Sequence, residues 1–297
     1  MTSLQAHQSS HFPADIEQEI FETAAVSHPT GIPALMLVAY RVKIWVEPLL
    51  YRVVFVSRSQ RIEHFPHFTT SSVLWLSQEK RSEFLRNSVR HMYLGGFFPG
   101  MHSVLEACTG ITELTLNIGV FANINILGAM SRLRRLTVEV DRLFPGLPVD
   151  FSHPAFRNIT HLEVLDAASD RLTSQWMQIN SIPNLTHLAF SDPGFVPIFE
   201  EVLRYCDRLA CMVFLCADEK LIAGAQSVGA DPRFVVSGVI DLHLDWQRGV
   251  RRGQDYWGRA DAFIAGKRAG NIDGSVYEMV SVDKLGWAEC LVDWSMH

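Results

Sequence analysis

Ile111-Thr112-Glu113-Leu114-Thr115-Leu116-Asn117 is the stretch whose reading decides the fold. Leu114 and Leu116 stand two apart, so in an extended chain they share one side, while Glu113 and Thr115 share the other. Ile111 completes an apolar-x-x-apolar-x-apolar unit. One such strand has an apolar face it cannot bury alone, so it needs like neighbours.

Those neighbours can be counted. The same unit stands at Val89/Met92/Leu94, Leu133/Leu136/Val138, Ile159/Leu162/Val164, Leu185/Leu188/Phe190 and Leu209/Met212/Phe214. Start-to-start spacings from Val89 onward are 22, 22, 26, 26 and 24 residues, by subtraction. They fall in the range of about 20–29 residues that marks leucine-rich repeats. Two outlying copies read as Leu50/Val53/Phe55 and Val239/Leu242/Leu244. The stretches between, such as Ser103–Cys108, Leu172–Ile179 and Phe195–Tyr205, suit helices or irregular turns. Stacked units of this kind bury a continuous core. The expected class is α/β: a short N-terminal helical segment, then an irregular leucine-rich-repeat-like solenoid with parallel strands and a C-terminal cap. The expected division is 1–55, 56–230 and 231–297. Irregular spacing leaves a generic α/β sheet as the other reading.

With parallel strands, the alternate positions line the concave side: His91 and Tyr93, Glu113 and Thr115, Arg135 and Thr137, His161 and Glu163, then His187. A mixed polar row suits recognition of a protein surface; each residue singly also reads as plain solvated surface. In the last unit these positions turn apolar, as Cys211, Val213 and Leu215. That change predicts that the C-terminal part covers them.

The N-terminus carries a different periodicity. Phe12-Pro13-Ala14-Asp15-Ile16-Glu17-Gln18-Glu19-Ile20-Phe21 reads as a helix start. Pro13 suits the first turn, and Asp15, Glu17 and Glu19 complement the positive end of the helix dipole. His28-Pro29-Thr30-Gly31 breaks the chain, and Leu35, Val38, Val42, Trp45, Val46 and Leu49 predict one second helix, with Pro48 near its end. The apolar-Pro-x-acidic-Ile-x-x-x-Ile-Phe opening, the Val-x-x-Arg helix and Glu47-Pro48-Leu49-Leu50-Tyr51 together resemble an F-box, in particular the F-box-like proteins abundant in mushroom-forming fungi. The match covers about forty residues. It departs from the family at Phe12, Ala39 and Val42 and in the long connection from Thr23 to Gly31. The resemblance implies docking onto a Skp-type adaptor, and through it a cullin scaffold, by Phe12, Pro13, Ile16, Ile20, Phe21, Val38, Arg41 and Trp45. It also implies a substrate-recruiting subunit of a ubiquitin ligase, with an unknown protein substrate. The competing reading makes residues 1–50 a cap for the repeats.

Composition limits the alternatives. The 297 residues are 48% apolar and 20% charged, with a net charge of −6. That argues against a dominant nucleic-acid or membrane-surface role, since both require a basic footprint. The polar stretch Met1–Phe12 does not read as a secretory leader, and no apolar run approaches the roughly 20 residues of a membrane span. A cytoplasmic or nuclear location is expected. Cys108, Cys206, Cys211, Cys216 and Cys290 match neither a disulfide framework nor a zinc site, and read as reduced thiols. The sequons at Asn158 and Asn184 carry meaning only with secretion. Residues 248–268 hold six Lys/Arg and two Asp with interleaved aromatics; a terminal cap with a helix over Tyr256–Lys267 is favoured over a nucleic-acid surface.

Chemistry is sparse. Gly266-Lys267 lacks the rest of a phosphate-binding loop, and neither a Gly-x-Ser-x-Gly elbow nor a His-Glu-x-x-His pair occurs. Asp241-x-His243-x-Asp245 would place three ligand-type side chains on one strand face, but a second histidine downstream is found only at His297. No cofactor, metal or enzymatic activity is expected.

Overall fold

A computed structural model describes residues 12–57, 64–117, 119–168, 175–176, 178–238 and 241–279. Among the described residues, nine strands form one parallel sheet whose spatial order is the chain order. They are β1 (Val53–Val56), β2 (His91–Leu94), β3 (Glu113–Leu116), β4 (Arg135–Val138), β5 (His161–Val164), β6 (His187–Phe190), β7 (Cys211–Leu215), β8 (Phe234–Ser237) and β9 (Glu278–Met279).

The six counted units each supply a strand, β2 to β7, and the register follows the alternation. Leu114 pairs with Met92 on one side and Leu136 on the other. Val54, Met92, Leu114, Leu136, Leu162, Leu188 and Met212 point into the main core, as do Leu94, Leu116, Val138, Val164, Phe190 and Phe214. The leading residue of each unit, from Val89 and Ile111 to Leu209, is buried just before its strand. Each such side chain contributes roughly 1.5–3 kcal/mol of burial. Threonines extend the ladder: the Thr112 hydroxyl donates to the Arg90 carbonyl at 3.0 Å, and those of Thr160 and Thr186 donate to Arg134 and Thr160, each at 3.2 Å.

Helices and turns close the other side of this core. Helices α1 (Ala14–Ser27), α2 (Ile32–Leu35) and α3 (Tyr40–Leu50) precede β1. Between strands lie α4 (Thr70–Glu79) and α5 (Ser82–Ser88), then α6 (Met101–Ala107) and α7 (Ile124–Gly128). Short 3-10 turns such as Pro154–Phe156 and Ile179–Ser181 serve the middle, and α8 (Phe199–Tyr205) and α9 (Glu219–Gly224) follow β6 and β7. Phe190, Phe199, Phe214 and Phe234 stack under the later strands, with Phe199 centred 5.4 Å from both Phe190 and Phe214. The predicted connections at Ser103–Cys108 and Phe195–Tyr205 are helical, while most of Leu172–Ile179 lies outside the described residues.

Three expectations need correction. In the first outlying unit, Val53 and Phe55 lie opposite the main core, because Val53 pairs with His91 and Phe55 with Tyr93; the strand is real but its frame is one residue off. The second outlying unit is no strand: β8 lies earlier, Leu242 opens a helix, and Val239 is outside the described residues. The second N-terminal helix is two pieces, because Ala39 is extended (φ −161°, ψ 156°); Val38 therefore leaves the stripe and is exposed. Strand β1 begins at Val53, inside the segment expected over 1–55, and β8 and β9 both fall within 231–297.

After β8 the chain leaves the sheet. Helix α10 (Leu242–Arg252) and helix α11 (Tyr256–Arg268) lie across the face opposite the main core before β9 pairs with β8. Asp241 caps α10 by accepting the His243 and Leu244 amides at 3.0 and 2.9 Å. Gly253, at φ +68°, ends it in the left-handed region that glycine enters without strain. Asp255 then caps α11 through the Gly258 amide at 3.0 Å. Among the described residues, Cys108, Cys206, Cys211 and Cys216 are unpaired thiols, and no helix is long and apolar enough to cross a membrane.

Candidate functional site

The residues expected to form an open row are brought together as expected, but the row is covered. Strand register places His91, Glu113, Arg135, His161 and His187 side by side, with Tyr93, Thr115, Thr137 and Glu163 in the next row. Over them lie α10 and α11. Tyr93, Glu113, Thr115 and Glu163 are buried, which corrects the open partner-binding surface predicted for this face.

The cover is apolar at both ends. Near β1 and β2, Trp246 and Val250 of α10 pack on Val53, Phe55, Phe65 and Tyr93. The Phe55 and Tyr93 rings stack at 4.6 Å. Near β6 to β8, Tyr256, Trp257, Ala260 and Ile264 of α11 pack on Ala189, Cys211, Val213, Leu215 and Val235. The predicted covering of Cys211, Val213 and Leu215 is therefore present, and burial pushes the Cys211 thiol up. The interleaved aromatics of 248–268 face this sheet.

The middle is polar and linked across the strands. His91 Nδ1 lies 2.9 Å from Glu113 Oε2, whose other neighbour is Arg135 Nη1 at 3.9 Å. Arg135 also pairs with Asp255 at the start of α11. Burial opposes the Arg135 charge, but Glu113 and Asp255 outweigh it and raise its pKa. Thr137 and Tyr256 hydroxyls both donate to Glu163 Oε2 at 3.0 Å. Among the described residues, no hydrogen bond reaches Glu163 Oε1, and burial pushes this carboxyl up to about 7 against those two donors. Asp245 is also raised by burial, though it accepts the Tyr256 amide at 2.8 Å and Arg259 Nη2 at 2.7 Å.

Further along, His161 and His187 stack at 4.0 Å with planes 6° apart, and Trp257 meets both edge-on at 5.2 and 5.8 Å. His187 Nε2 lies 3.0 Å from Asp261 Oδ1, which holds that carboxyl below its ordinary value. Burial, then the neighbouring His187 and Arg135, push His161 down to about 3. A space of about 50 Å³ remains in the centre, lined by Tyr93, Arg135, Glu163, Asp245, Trp246 and Tyr256 among others. Arg135 Nε and Trp246 Nε1 are buried without hydrogen-bond partners among the described residues.

Asp241, His243 and Asp245 do not share a strand face. Asp241 is a helix cap, Asp245 pairs with Arg259, and the His243 ring lies against Tyr93 at 5.1 Å. Among the described residues, no three His, Cys, Asp or Glu side chains cluster as metal ligands. The contributions of Asp245, Asp255, Tyr256, Trp257 and Asp261 were not anticipated residue by residue. The apolar switch in β7 was the available signal for a cover, and the polar strands carried none.

A second surface lies on α1 to α3. Ala25, Ile32, Val42 and Val46 form a small core of their own, with Phe21 and Trp45 packed against it and half-buried. Of the residues assigned to docking, Phe12, Ile16, Ile20 and Val38 are exposed, at 66%, 40%, 49% and 60%. Pro13 is exposed as well. Ile16 and Ile20 line a shallow groove along α1 with Thr23 and Ala24. Arg41 holds Glu17 through two contacts, at 2.7 and 3.0 Å, which ties α3 to α1. The hairpin meets the rest of the chain through Lys80 Nζ and Glu47 Oε1 at 2.7 Å, and through Tyr51 between Phe68 and Phe84. No protein-family model and no curated protein matches the chain.

Proposed function

We propose that the protein is a non-catalytic interaction adaptor of the F-box type, in which α1 to α3 dock a Skp-type adaptor and a leucine-rich-repeat-like scaffold carries the recruited protein. The observation that supports it best is the outward placement of Ile16 and Ile20 on α1, with Phe12 and Val38 exposed just outside the helices, in a hairpin that already has its own small core. Large apolar side chains grouped on a helical surface gain by burial against a groove or helix of another protein. Consecutive parallel strands spaced 22 to 26 residues apart support the repeat half of the reading. Co-purification of the full chain with a Skp-type adaptor tests it. Ile16→Asp with Ile20→Asp should abolish capture while circular dichroism and melting stay unchanged; capture that survives both charges sinks the docking role.

The second reading makes the hairpin a cap with no ligase role, and it is favoured by the Glu47–Lys80 pair and the seating of Tyr51. Deleting residues 1–50 separates the two. A docking module detaches and leaves the sheet cooperatively folded, whereas loss of a cap unfolds the remainder.

A further inference from the structure

The segment that covers the sheet is inserted between β8 and β9, and its relation to the rest of the fold is unusual in three ways. No residue of α10 or α11 belongs to the main core, which the segment meets only at Tyr277, next to β9, where the ring packs 6.2 Å from Phe234. It separates no neighbouring strands among β1 to β8, which pair directly with one another. Its polar fit is incomplete: among the described residues, Glu163 Oε1, Arg135 Nε, Trp246 Nε1 and His243 Nδ1 are buried without hydrogen bonds, and a space of about 50 Å³ remains beside the first three. Buried polar groups left unpaired work against an interface. Lifting this segment would keep the main core and the ladder of β1 to β8 and would return those groups to water.

The contacts also have a chemical pattern. Along α11, Asp255 meets Arg135, Tyr256 meets Glu163, Trp257 spans the edges of His161 and His187, and Asp261 meets His187. Each contact pairs a helix side chain with a member of the polar row. Trp257 and Asp261, four residues apart, share one helical stripe, and Asp255 and Tyr256 reach the row from the cap and first turn beside it.

We propose that α10 and α11 form an intramolecular lid over the recognition face, and that α11 occupies the place of a partner helix bearing an acidic and aromatic stripe. This rests on the reading of the sheet as a recruiting scaffold, and it names the class of segment recruited. The lid competes with the partner, so recruitment requires its release.

Native-state hydrogen exchange on the full chain gives the first test. Amides of α10 and α11 should exchange through a partial opening, with protection at least 100-fold below that of β3 to β6. Equal protection in lid and strands overturns the lid. The second test uses a labelled synthetic peptide of residues 254–269 added in trans. Asp261→Asn, at a half-exposed position, should leave the fold intact and let the peptide bind at least threefold more tightly than to the wild type. A peptide with Tyr256 and Trp257 both replaced by alanine should not bind. Failure of the native peptide to bind the variant, or equal binding by the alanine peptide, overturns the assigned partner chemistry. Adaptor capture through α1 is measured apart from this: its loss with the lid still opening removes the docking role alone, and its persistence with a rigid lid removes only the lid.

Discussion

The two candidate surfaces are built on opposite principles. The N-terminal hairpin leaves Ile16 and Ile20 in water, although apolar side chains are the ones burial favours. The covered sheet face does the reverse, burying Glu113 and Glu163, and with them Asp245 of the cover, whose charges favour water. Water contact carries little penalty for a half-exposed isoleucine, so the hairpin surface is free of strain and open to an outside partner. Buried charge is tolerated only where partners are close, so the sheet face depends on the segment that covers it. The first surface should therefore be insensitive to folding conditions, and the second should respond to every group within it.

The largest expected effect breaks the cover. Trp257→Ala removes the ring shared by the histidine pair and the apolar end of α11, and should lower stability by about 3–5 kcal/mol in urea denaturation. A loss below about 1 kcal/mol would mean that α11 adds little to the fold.

Next comes pH. The Glu163 carboxyl is raised to about 7 in the folded chain, so the folded form holds the proton more firmly than an unfolded carboxyl near ~4.3. Its contribution is fully present below about 4.3 and is lost as pH rises through about 7. His161 is lowered to about 3, below the ~6.5 of a free imidazole. Between those values the unfolded chain binds the extra proton, so stability from His161 rises with pH. The windows overlap between about pH 4.3 and 6.5 with opposite signs. Relative to wild type, Glu163→Gln should tilt the stability profile there toward a rise with pH and His161→Asn toward a fall, each by up to about 1.4 kcal/mol per pH unit. Parallel profiles for both variants would mean that neither group titrates under the cover.

The smallest effect sharpens the contrast from the other side. Ile16→Asp and Ile20→Asp should each shift stability by no more than about 0.5 kcal/mol in the same denaturation series. A loss near that of Trp257→Ala would place both isoleucines in a packed interface within the chain.

Much of the sheet was legible because its signal is local. Leu114 and Leu116 report a buried strand face by their spacing alone, and the same spacing located six strands. The frame of β1 was missed because Val53 to Val56 are all apolar: alternation cannot choose a face when both faces are buried. The break at Ala39 was missed because helical periodicity continues across it. The strand expected over Asp241 to Asp245 failed because period-two spacing also occurs by chance at a capped helix start, and Asp241 is an equally good cap. The cover was foreseen only over Cys211, Val213 and Leu215, where an apolar row cannot remain in water.

The amino-acid order by itself determined the six repeated strand units, which side of each is apolar, and the helical character of the N-terminus, because each depends on residues within a few positions of one another. Only the tertiary structure decided that the polar row is covered and that Glu163 shares the Tyr256 hydroxyl from 93 residues away. Arg135 and Asp255, 120 residues apart, pair by the same folding back of the chain. A charged side chain in a strand looks the same in sequence whether water or a helix lies above it. Its burial, its protonation and its partner depend on which distant segment reaches that face, and that follows from packing across the whole chain.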